Sequence, residues 1–492
     1  MKLVKRGSVA AHIHVAKDFG FGSGAPPGPW GGGYVPDSTS SKKKKKYKTK
    51  KPGKDKTTGD GSTTSSQDKS PPSDPSDEGS HSTTTSHPDS NSTTTTKPSS
   101  AKPGTDNSTT TSTSTSNTTS EDDTYSESTG NTTGSPSTTS GCTFSSVSSL
   151  MSGKKSCRHI VLNSIEVPAG ETLDLGALTP GTEVTFAGTT TFGYKEWAGP
   201  LISIINSNSI SVTGAKGHIL SFEGERWWDG WGGLGGKKKP RAVFVAKLDN
   251  SSISGLRLKN TPIQGFSLSW STGLGFYGNV IDNYEGVMGG KGHNNDGFNI
   301  GRCTDCRVIG NTVDSTDDCV AINSGQSIKI LQNNCIHTHG ISMAPAGSAS
   351  EVDDVLVKSN RIARGKFGLR LKSSSKGKGY VNNVRFINNE LIGLWQVGIE
   401  VVQNYKNGVG FSQAQAGAGC PFQNIEFSGN TVSVTERAAK FSVACAPGAC
   451  TRFSWDGSLD GGGKEDMCQN APRGLPCGDK SSGGGSGGKE NS

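Results

Sequence analysis

Residues 296–339 read DGFNIGRCTDCRVIGNTVDSTDDCVAINSGQSIKILQNNCIHTH, and their spacing indicates how the chain folds. Short runs of valine, isoleucine and leucine recur there, closed by asparagine or glycine. Asp296 and Asp317 are 317 − 296 = 21 residues apart, and Asp318 and His339 are 339 − 318 = 21 residues apart. A fixed period of this length indicates a solenoid, in which each repeat is one coil stacked on the last. Because neighbouring coils lie about 4.8 Å apart, we expect these four side chains on one face of a rod.

Similar segments continue on both sides of this stretch. They are short, rich in β-branched residues and bounded by Gly, Asn, Asp or Ser, which is typical of strands. Long helical patterns do not alternate with them and hairpin signals are not repeated, so the sequence favours an all-β fold, a right-handed parallel β-helix, over an antiparallel sandwich or propeller. The predicted strands are 160–162, 184–186, 210–212, 253–258, 280–281, 308–309, 328–331, 355–357, 384–387 and 425–427.

Asparagine recurs where these segments end. Its side chain tolerates the left-handed backbone of a tight corner, and stacked asparagines can form hydrogen-bonded ladders. We therefore expect asparagine ladders along the corners of the rod. The residues concerned are Asn311, Asn333, Asn334, Asn360, Asn388, Asn389 and Asn430.

Composition divides the chain into three predicted domains. Residues from about 38 to 141 are almost devoid of large apolar side chains and cannot offset the entropy of ordering, so we predict that residues 1–141 form a disordered stalk, first Lys-rich and then Ser/Thr-rich. Residues 142–478 form the predicted β-helix catalytic domain, in which residues 145–156 have the near-helical apolar spacing of a short capping helix. Residues 479–492 are predicted to be a flexible Gly/Ser tail.

The net charge of +8 comes partly from the lysine run at 42–46. One interpretation is a basic patch that holds an acidic polysaccharide or nucleic acid. A solvated tail without a dedicated partner is the more common role of such a run. We therefore expect no nucleic-acid partner and a monomeric protein.

All 11 cysteines lie at or after Cys142. Close pairs predict local disulfides, although sequence alone does not fix their connectivity. Cys303, Cys306 and Cys420 remain, so one thiol is left unpaired, and a zinc site at the first two lacks a second ligand pair. The predicted pairs are Cys142/Cys157, Cys319/Cys335, Cys445/Cys450 and Cys468/Cys477.

This cysteine usage predicts a secreted, extracellular protein. N-glycosylation triplets open at Asn91, Asn107, Asn117, Asn131 and Asn250. Residues 1–22 have basic residues but not the continuous apolar segment of a secretory signal, so the export route stays open. Since no segment is long and apolar enough to span a bilayer, we expect no membrane partner.

Four motifs follow one another in a fixed order: HNNDGFNI at 293–300, DDCVAINSG at 317–325, THGIS at 338–342 and RLK at 370–372, followed by Tyr405. Together they resemble the fungal endopolygalacturonases of the pectin-degrading glycoside hydrolase family 28, and the resemblance covers the whole predicted folded domain. It implies endo-acting hydrolysis of the α-1,4 bonds between galacturonate units in polygalacturonate or pectin. It also implies that the reaction needs neither a cofactor nor a metal.

The resemblance implies that Asp317 is the general acid and that Asp296 and Asp318 orient and deprotonate the attacking water, with inversion at the anomeric carbon. Because three clustered carboxylates repel one another, at least one pKa should rise, and we expect Asp317 to stay protonated at mildly acid pH. The other implied site residues are His339, which orients Asp317; Arg370 and Lys372, which bind substrate carboxylates; and Asn294 and Tyr405, which contact substrate.

Three alternatives remain open at this stage. Three carboxylates could hold Ca²⁺, which would predict a pectate lyase. The chain could also be a non-catalytic or weakened pectin-binding homologue, or an exo-acting polygalacturonase. The binding interpretation is motivated by departures from the family pattern at Asn295, Asn299, Thr338 and Met343-Ala344-Pro345.

Overall fold

The structure, a computed structural model, describes residues 142–345, 350–406, 410–411 and 414–477. In these ranges the chain forms a long parallel β-helix with few helices, which confirms the predicted all-β fold. The predicted stalk at 1–141 and the predicted tail at 479–492 lie outside the described residues. Among the helices that the structure describes, none has the length and apolar character needed to cross a membrane.

The N-terminal half of the β-helix runs from the first strand to the coil before Asp296. Its strands are β1 (Cys142–Phe144), β2 (His159–Asn163), β3 (Glu166–Val167), β4 (Leu173–Asp174), β5 (Glu183–Ala187), β6 (Thr189–Phe192), β7 (Ile202–Asn208), β8 (Ser211–Gly214), β9 (Ile219–Ser221), β10 (Val243–Asp249), β11 (Ser252–Ser254), β12 (Arg257–Lys259), β13 (Phe266–Thr272), β14 (Gly275–Tyr277) and β15 (Val280–Asp282).

The C-terminal half continues with the coils that carry the sequence motifs. Its strands are β16 (Phe298–Thr304), β17 (Arg307–Ile309), β18 (Thr312–Asp314), β19 (Val320–Ile322), β20 (Gly325–Leu331), β21 (Asn334–Ile336), β22 (Ile341–Met343), β23 (Ser350–Lys358), β24 (Arg361–Ala363), β25 (Phe367–Lys372), β26 (Gly379–Ile387), β27 (Glu390–Leu394), β28 (Val397–Val402), β29 (Tyr405–Lys406), β30 (Gly410–Phe411), β31 (Phe422–Val434), β32 (Ala439–Ala444), β33 (Cys450–Gly461) and β34 (Met467–Gln469).

Successive coils pair their strands in three parallel ladders. The first ladder contains β2, β5, β8, β11, β14, β17, β20, β23, β26, β31 and β33. The second contains β3, β6, β9, β12, β15, β18, β21, β24 and β27, and ends on β31. The third contains β4, β7, β10, β13, β16, β19, β22, β25, β28, β32 and β34. Only β29 and β30 pair antiparallel among the described strands.

The predicted strands coincide mainly with the first ladder. The segment predicted as one strand at 253–258 is wrong as a single element, because the chain turns between β11 and β12. Gly255 makes this corner with φ +62°, a left-handed conformation that favours glycine, and its N–H donates to the carbonyl of Tyr277 one coil away. Because the corner is short and each strand has only three residues, the sequence of this segment cannot be distinguished from that of one longer strand.

A helix at the N-terminal end of the rod confirms the predicted cap. It is α1 (Val147–Gly153), followed by one 3₁₀ turn at Lys154–Ser156. The backbone N–H of Ser149 donates to Ser146 Oγ at 3.2 Å, which satisfies one of the free donors at the helix start. Leu150 is fully buried in the core of the β-helix, whereas Met151 is 48% exposed. The other helix is α2 (Tyr284–Gly289), and 3₁₀ turns lie at Gly224–Arg226 and Gly232–Leu234.

All four predicted disulfides are present. They join Cys142 to Cys157, Cys319 to Cys335, Cys445 to Cys450, and Cys468 to Cys477. Cys303 and Cys306 form a fifth disulfide, so these residues are not a zinc site in this structure, and Cys420 is the unpaired, buried thiol.

The predicted asparagine ladder runs through the interior of the rod. Each side-chain amide donates to the amide oxygen of the next asparagine at 2.9–3.0 Å. Each of these oxygens also accepts the backbone N–H of the preceding asparagine. The ladder extends one coil beyond the prediction, and its members are Asn279, Asn311, Asn333, Asn360, Asn389 and Asn430. The prediction was wrong for Asn334 and Asn388, which lie beside ladder residues and whose backbone N–H groups donate to the carbonyls of Asn311 and Ser428.

We expect Asn333→Ala to lower the free energy of unfolding by roughly 2–5 kcal/mol, because it strands buried donors and acceptors on both neighbouring coils. Asn333 accepts two hydrogen bonds from Asn311 and donates to Val308 and Asn360. Urea unfolding followed by circular dichroism measures the change. The control is Asn334→Ala, a partly exposed neighbour outside the ladder, which we expect to change stability by less than about 0.5 kcal/mol. Equal effects of the two substitutions would contradict the ladder's role.

Candidate active site

The third ladder brings the motif residues together. Asp296, Asp318 and His339 each stand two residues before a paired position of β16, β19 and β22. The offset between β16 and β19 is 320 − 298 = 22 residues, and that between β19 and β22 is 341 − 320 = 21 residues. The predicted period therefore holds for Asp318 and His339. For Asp296 the offset is 22 residues, one more than the predicted 21. Asp296 therefore stacks on Asp318 instead of Asp317.

Asp317 faces the accessible side of the cluster. Its Oδ1 lies 3.0 Å from His339 Nδ1, and the two side chains are 12% and 18% exposed. The same oxygen accepts the backbone N–H of Asp318 at 2.8 Å. Asn294 donates its side-chain amide to Asp317 Oδ2 at 3.4 Å, and its own amide oxygen accepts the backbone N–H of Gly233 at 3.0 Å. Asp317 is thus held by a histidine and an amide while remaining open to a ligand.

Asp318 is buried and surrounded by donors. Lys372 Nζ lies 2.7 Å from Oδ2, while Arg370 Nη1 lies 3.1 Å from Oδ1. Ser342 Oγ donates to Oδ1 at 2.8 Å. Charge-assisted bonds of this kind hold a carboxylate in one orientation.

Arg370 lies behind Asp318 and not on the surface of the site. It is 2% exposed, and its Nε and Nη2 donate to Glu400 Oε2 at 2.8 and 2.7 Å. Its guanidinium carbon lies 3.8 Å from the centre of the Phe367 ring. Burial alone would lower the pKa of Arg370, but the charges of Glu400 and Asp318 outweigh it and raise the pKa. Arg370 therefore binds protein carboxylates here, where the sequence led us to expect a substrate carboxylate.

Asp296 has a neutral partner. Asn299 donates its side-chain amide to Asp296 Oδ2 at 2.9 Å, and Asn323 donates to Asn299 Oδ1 at 2.8 Å. Asn299, one of the departures named above, thus places an amide donor beside Asp296. This amide adds no negative charge beside Asp296, and it fixes the orientation of that carboxylate.

The aspartates differ in their affinity for protons. Burial raises the pKa of Asp296 well above its usual value, and the charges of Asp317 and Asp318 raise it further. Burial also acts to raise the pKa of Asp317, but His339 and Lys372 outweigh it and the pKa falls below its usual value. One pKa is raised, as expected, but it is that of Asp296. The expectation that Asp317 keeps the proton is wrong for the substrate-free site, because His339 and Lys372 outweigh the effect of burial at Asp317 but the effect of burial prevails at Asp296.

We expect Asp296→Asn to stabilise the protein at pH 7. A carboxyl whose pKa is raised by folding binds its proton more tightly in the folded state, so its contribution to stability is full below the unfolded pKa of about 3.9 and is lost as pH rises through the folded pKa. The amide does not ionise, so the variant should melt about 2 °C or more above the wild type at pH 7. At pH 3.5 the difference should close. Calorimetry at both pH values tests this.

The control for that experiment is Asp460→Asn, a substitution of an exposed aspartate on β33. We expect it to leave the melting temperature nearly unchanged at both pH values. A loss of stability in Asp296→Asn at pH 7 would contradict the raised pKa.

Tyr405 stands at the start of β29, beside the two cations. Its ring centre lies 5.1 Å from Lys372 Nζ and 5.8 Å from the guanidinium carbon of Arg370. The side chain is partly exposed, and burial raises its pKa. Tyr405 therefore covers the cation pair from the C-terminal side and presents its hydroxyl group as a neutral donor.

Three further departures from the family pattern are buried in the wall of the rod, at Asn295, Thr338 and Met343. Asn295 is fully buried, and its amide donates to the carbonyl of Thr261 on the previous coil. Thr338 is buried and its hydroxyl accepts the backbone N–H of Gly340 at 3.2 Å. Met343 lies in the hydrophobic core. These substitutions leave every predicted site residue in the cluster.

One atom from each of Asp317, Asp318 and His339 lies within 4.8 Å of the others, a spacing that could hold a metal ion. However, Asp318 is already neutralised by Lys372 and Arg370. A Ca²⁺ ion takes about 6–8 oxygen ligands and would here face two resident cations. The donor set therefore favours a protein ion network over a calcium site.

Sequence reasoning missed two members of this network, Glu400 and Ser342. Glu400 is the only charged residue of the apolar strand VGIEVV at 397–402, and it pairs in register with Arg370. A lone acid in a buried strand was the available signal, since such a charge needs a partner. Ser342 lies within the THGIS motif, but its contact with Asp318 depends on coil register, which the sequence alone does not fix.

Comparison with known proteins gives consistent results. The family model described as "Glycosyl hydrolases family 28" matches residues 157–477. Endopolygalacturonase A of Aspergillus flavus is 43% identical over 339 residues, which cover 68% of this chain and 92% of that protein. A polygalacturonase of Penicillium digitatum is 41% identical over 341 residues, which cover 69% of this chain and 92% of the relative.

Solved structures share the fold. Endopolygalacturonase I from Stereum purpureum, complexed with two galacturonate, superposes with a TM-score of 0.60 at 27% identity, covering 68% of this chain and 98% of that one. An endo-xylogalacturonan hydrolase from Aspergillus tubingensis gives a TM-score of 0.59 at 21% identity, covering 70% and 100%. The second likeness supports the fold alone.

Proposed function

This chain belongs to glycosyl hydrolases family 28, and from that premise we propose that it is an endo-acting hydrolase of the α-1,4 bonds between galacturonate units in polygalacturonate or pectin. The observation that carries the proposal is the group of three buried carboxylates, Asp296, Asp317 and Asp318, on adjacent coils. Each has a different set of partners, so the three can take different roles.

In the proposed mechanism Asp317 is the general acid. It is the most accessible of the three, and it shares a 3.0 Å contact with His339. The proton held between His339 and Asp317 moves to the glycosidic oxygen as the bond from that oxygen to the anomeric carbon breaks. Asn294 holds the second oxygen of Asp317. After each turnover Asp296 releases its proton to solvent, and the pair of Asp317 and His339 takes up a proton from solvent.

Asp296 and Asp318 hold the attacking water in this mechanism. Burial raises the pKa of Asp296, so its ionised form is the stronger base. In that form it accepts a proton from the water while the water oxygen bonds to the anomeric carbon. Asp318, paired with Lys372 and Arg370, orients the water as a fixed acceptor. Attack by water opposite the leaving group inverts the anomeric centre. The reaction consumes one water and uses the protein's own side chains.

Lys372 and Tyr405 are the proposed contacts to the substrate next to the scissile bond. Lys372 is 7% exposed, so its charge can reach a uronate carboxylate as well as Asp318. Arg370 acts in this proposal as a positioning residue for Asp318. Asn294 both holds Asp317 and forms part of the rim through its bond to Gly233.

We also propose that the protein is extracellular and acts as a monomer. Five disulfides, which join cysteines 3 to 16 residues apart, support an oxidising location. Asn250 is exposed at a turn between β10 and β11, which is a suitable position for N-glycosylation. Mass spectrometry of the protein from the culture medium, before and after glycosidase treatment, tests the extracellular location and the glycosylation.

The test of the proposed function is the release of reducing ends from low-ester polygalacturonate near pH 5, with the products sized over time. An endo-acting hydrolase gives a ladder of oligomers at early times. Galacturonate monomer as the only early product would shift the assignment to exo-action. Tight binding without release would favour the pectin-binding homologue.

A further inference from the structure

Lys366 carries a charge that the described part of the chain leaves unpaired. It stands directly before β25, and its side chain is partly buried. Its Nζ lies 5.5 Å from the centre of the Phe367 ring and 5.8 Å from that of Trp395, and it makes no hydrogen bond or ion pair with the described residues. A half-buried ammonium without a counter-ion is costly, which points to an anion that arrives with a ligand.

Lys366 is close to the catalytic pair. The Phe367 ring packs edge-on against His339, with 5.8 Å between the ring centres and an interplanar angle of 86°. His339 in turn contacts Asp317. Burial lowers the pKa of Lys366, and the negative charge of Asp317 acts in the opposite direction. The lysine therefore lies near the catalytic pair, on the side of the C-terminal coils. The Phe367 ring stands between it and His339.

Trp395 supplies a flat apolar surface next to this charge. It is 51% exposed, which is high for a tryptophan on a folded coil. Its backbone N–H donates to the carbonyl of Gly365 at 3.1 Å, so the indole stands one coil above the lysine segment. Sugar sites commonly combine an aromatic face with a few polar groups that fix orientation. An ammonium beside such a face matches a sugar that carries a carboxylate.

We propose that Lys366 and Trp395 form a binding subsite for one galacturonate unit, with the uronate carboxylate on Lys366 Nζ and the sugar ring on the indole face. This inference rests on the proposed function and adds a rule of specificity to it. The unit at this subsite binds best as the free acid, because a methyl ester cannot form the ion pair. The subsite therefore discriminates at this one unit between the free acid and the methyl ester.

The test compares Lys366→Gln and wild type, as full-length chains, on de-esterified polygalacturonate and on highly methyl-esterified pectin. We expect KM on the de-esterified polymer to rise about tenfold, which corresponds to about 1.4 kcal/mol of lost binding. The rise on the esterified polymer should be about twofold or less. Lys366→Arg, which keeps the charge, should recover most of the loss, and Trp395→Leu should raise KM on both polymers.

The matched control is Lys358→Gln. Lys358 is also partly buried, but it ends β23 in the first ladder, away from the catalytic strands. It should leave KM on both polymers within about twofold of wild type. If the wild-type enzyme is active, two results would overturn the subsite. One is an equal rise in KM on both polymers for Lys366→Gln, and the other is no rise in KM on either polymer. A wild-type enzyme that releases no oligomers would instead overturn the proposed function.

Discussion

Asp317→Asn is expected to lower kcat by about 10³-fold or more, in the range that general acid catalysis contributes. The amide keeps the shape of the side chain and can still accept the backbone N–H of Asp318. It cannot deliver the proton to the glycosidic oxygen. KM should stay within about threefold, because the loss falls on the transition state and not on ground-state binding. Initial rates of reducing-end release over a range of polymer concentrations give both constants.

The chain offers a closely matched control for this substitution. Asp314 also pairs with a histidine, through a 2.8 Å contact to His337 Nδ1, and its side chain is 21% exposed. It lies on β18 in the second ladder, outside the carboxylate cluster. Asp314→Asn should retain kcat within about twofold. Equal losses of activity in both variants would mean that breaking either Asp–His pair lowers activity. That result would contradict the acid role of Asp317.

Arg370→Met is expected to cost about 3–5 kcal/mol of unfolding free energy, since removing one partner of a buried ion network leaves uncompensated charge. Arg370 and Glu400 are 2% and 3% exposed, and Asp318 loses one of its two cations as well. Activity should fall in parallel because Asp318 then keeps, among the described side chains, only its contacts with Lys372 and Ser342 and is held less firmly. Urea unfolding and kcat on polygalacturonate measure the two effects.

Two further variants separate the causes. Arg361→Met breaks an exposed contact of 3.5 Å with Glu390, and it should cost less than about 1 kcal/mol. The double variant Arg370→Met/Glu400→Gln removes the stranded charge of Glu400, so it should recover part of the stability. Similar losses for Arg370→Met and Arg361→Met would show that the buried network is not what stabilises this wall.

The sequence predicted the solenoid because one wall of the rod has a strong signal. The first ladder contains longer apolar strands, such as β20 and β23, that end at the asparagine corners. The third ladder was mostly missed. Its strands near the site, such as β19 and β22, have three residues each and are buried throughout, so they show no alternation.

The sequence predicted which residues lie together in this cluster, but it did not predict which contacts they make with one another. The motifs supplied Asp296, Asp317, Asp318 and His339, whereas a coil of 22 residues in place of 21 decides which aspartate stacks on which. That single residue places Asp296 next to Asp318, where burial and the charges of Asp317 and Asp318 raise its pKa. Sequence spacing cannot resolve it, because corners absorb extra residues without a clear signature.

The most direct test of the central claim is the anomeric form of the first product. Proton NMR in D₂O can follow the new reducing end of a galacturonate oligomer before it equilibrates. A single displacement by water held at Asp296 and Asp318 predicts that the β-anomer appears first from the α-linked substrate. The α-anomer first would require a covalent intermediate, and an unsaturated product would require elimination. Either result would contradict the proposed roles of the three aspartates.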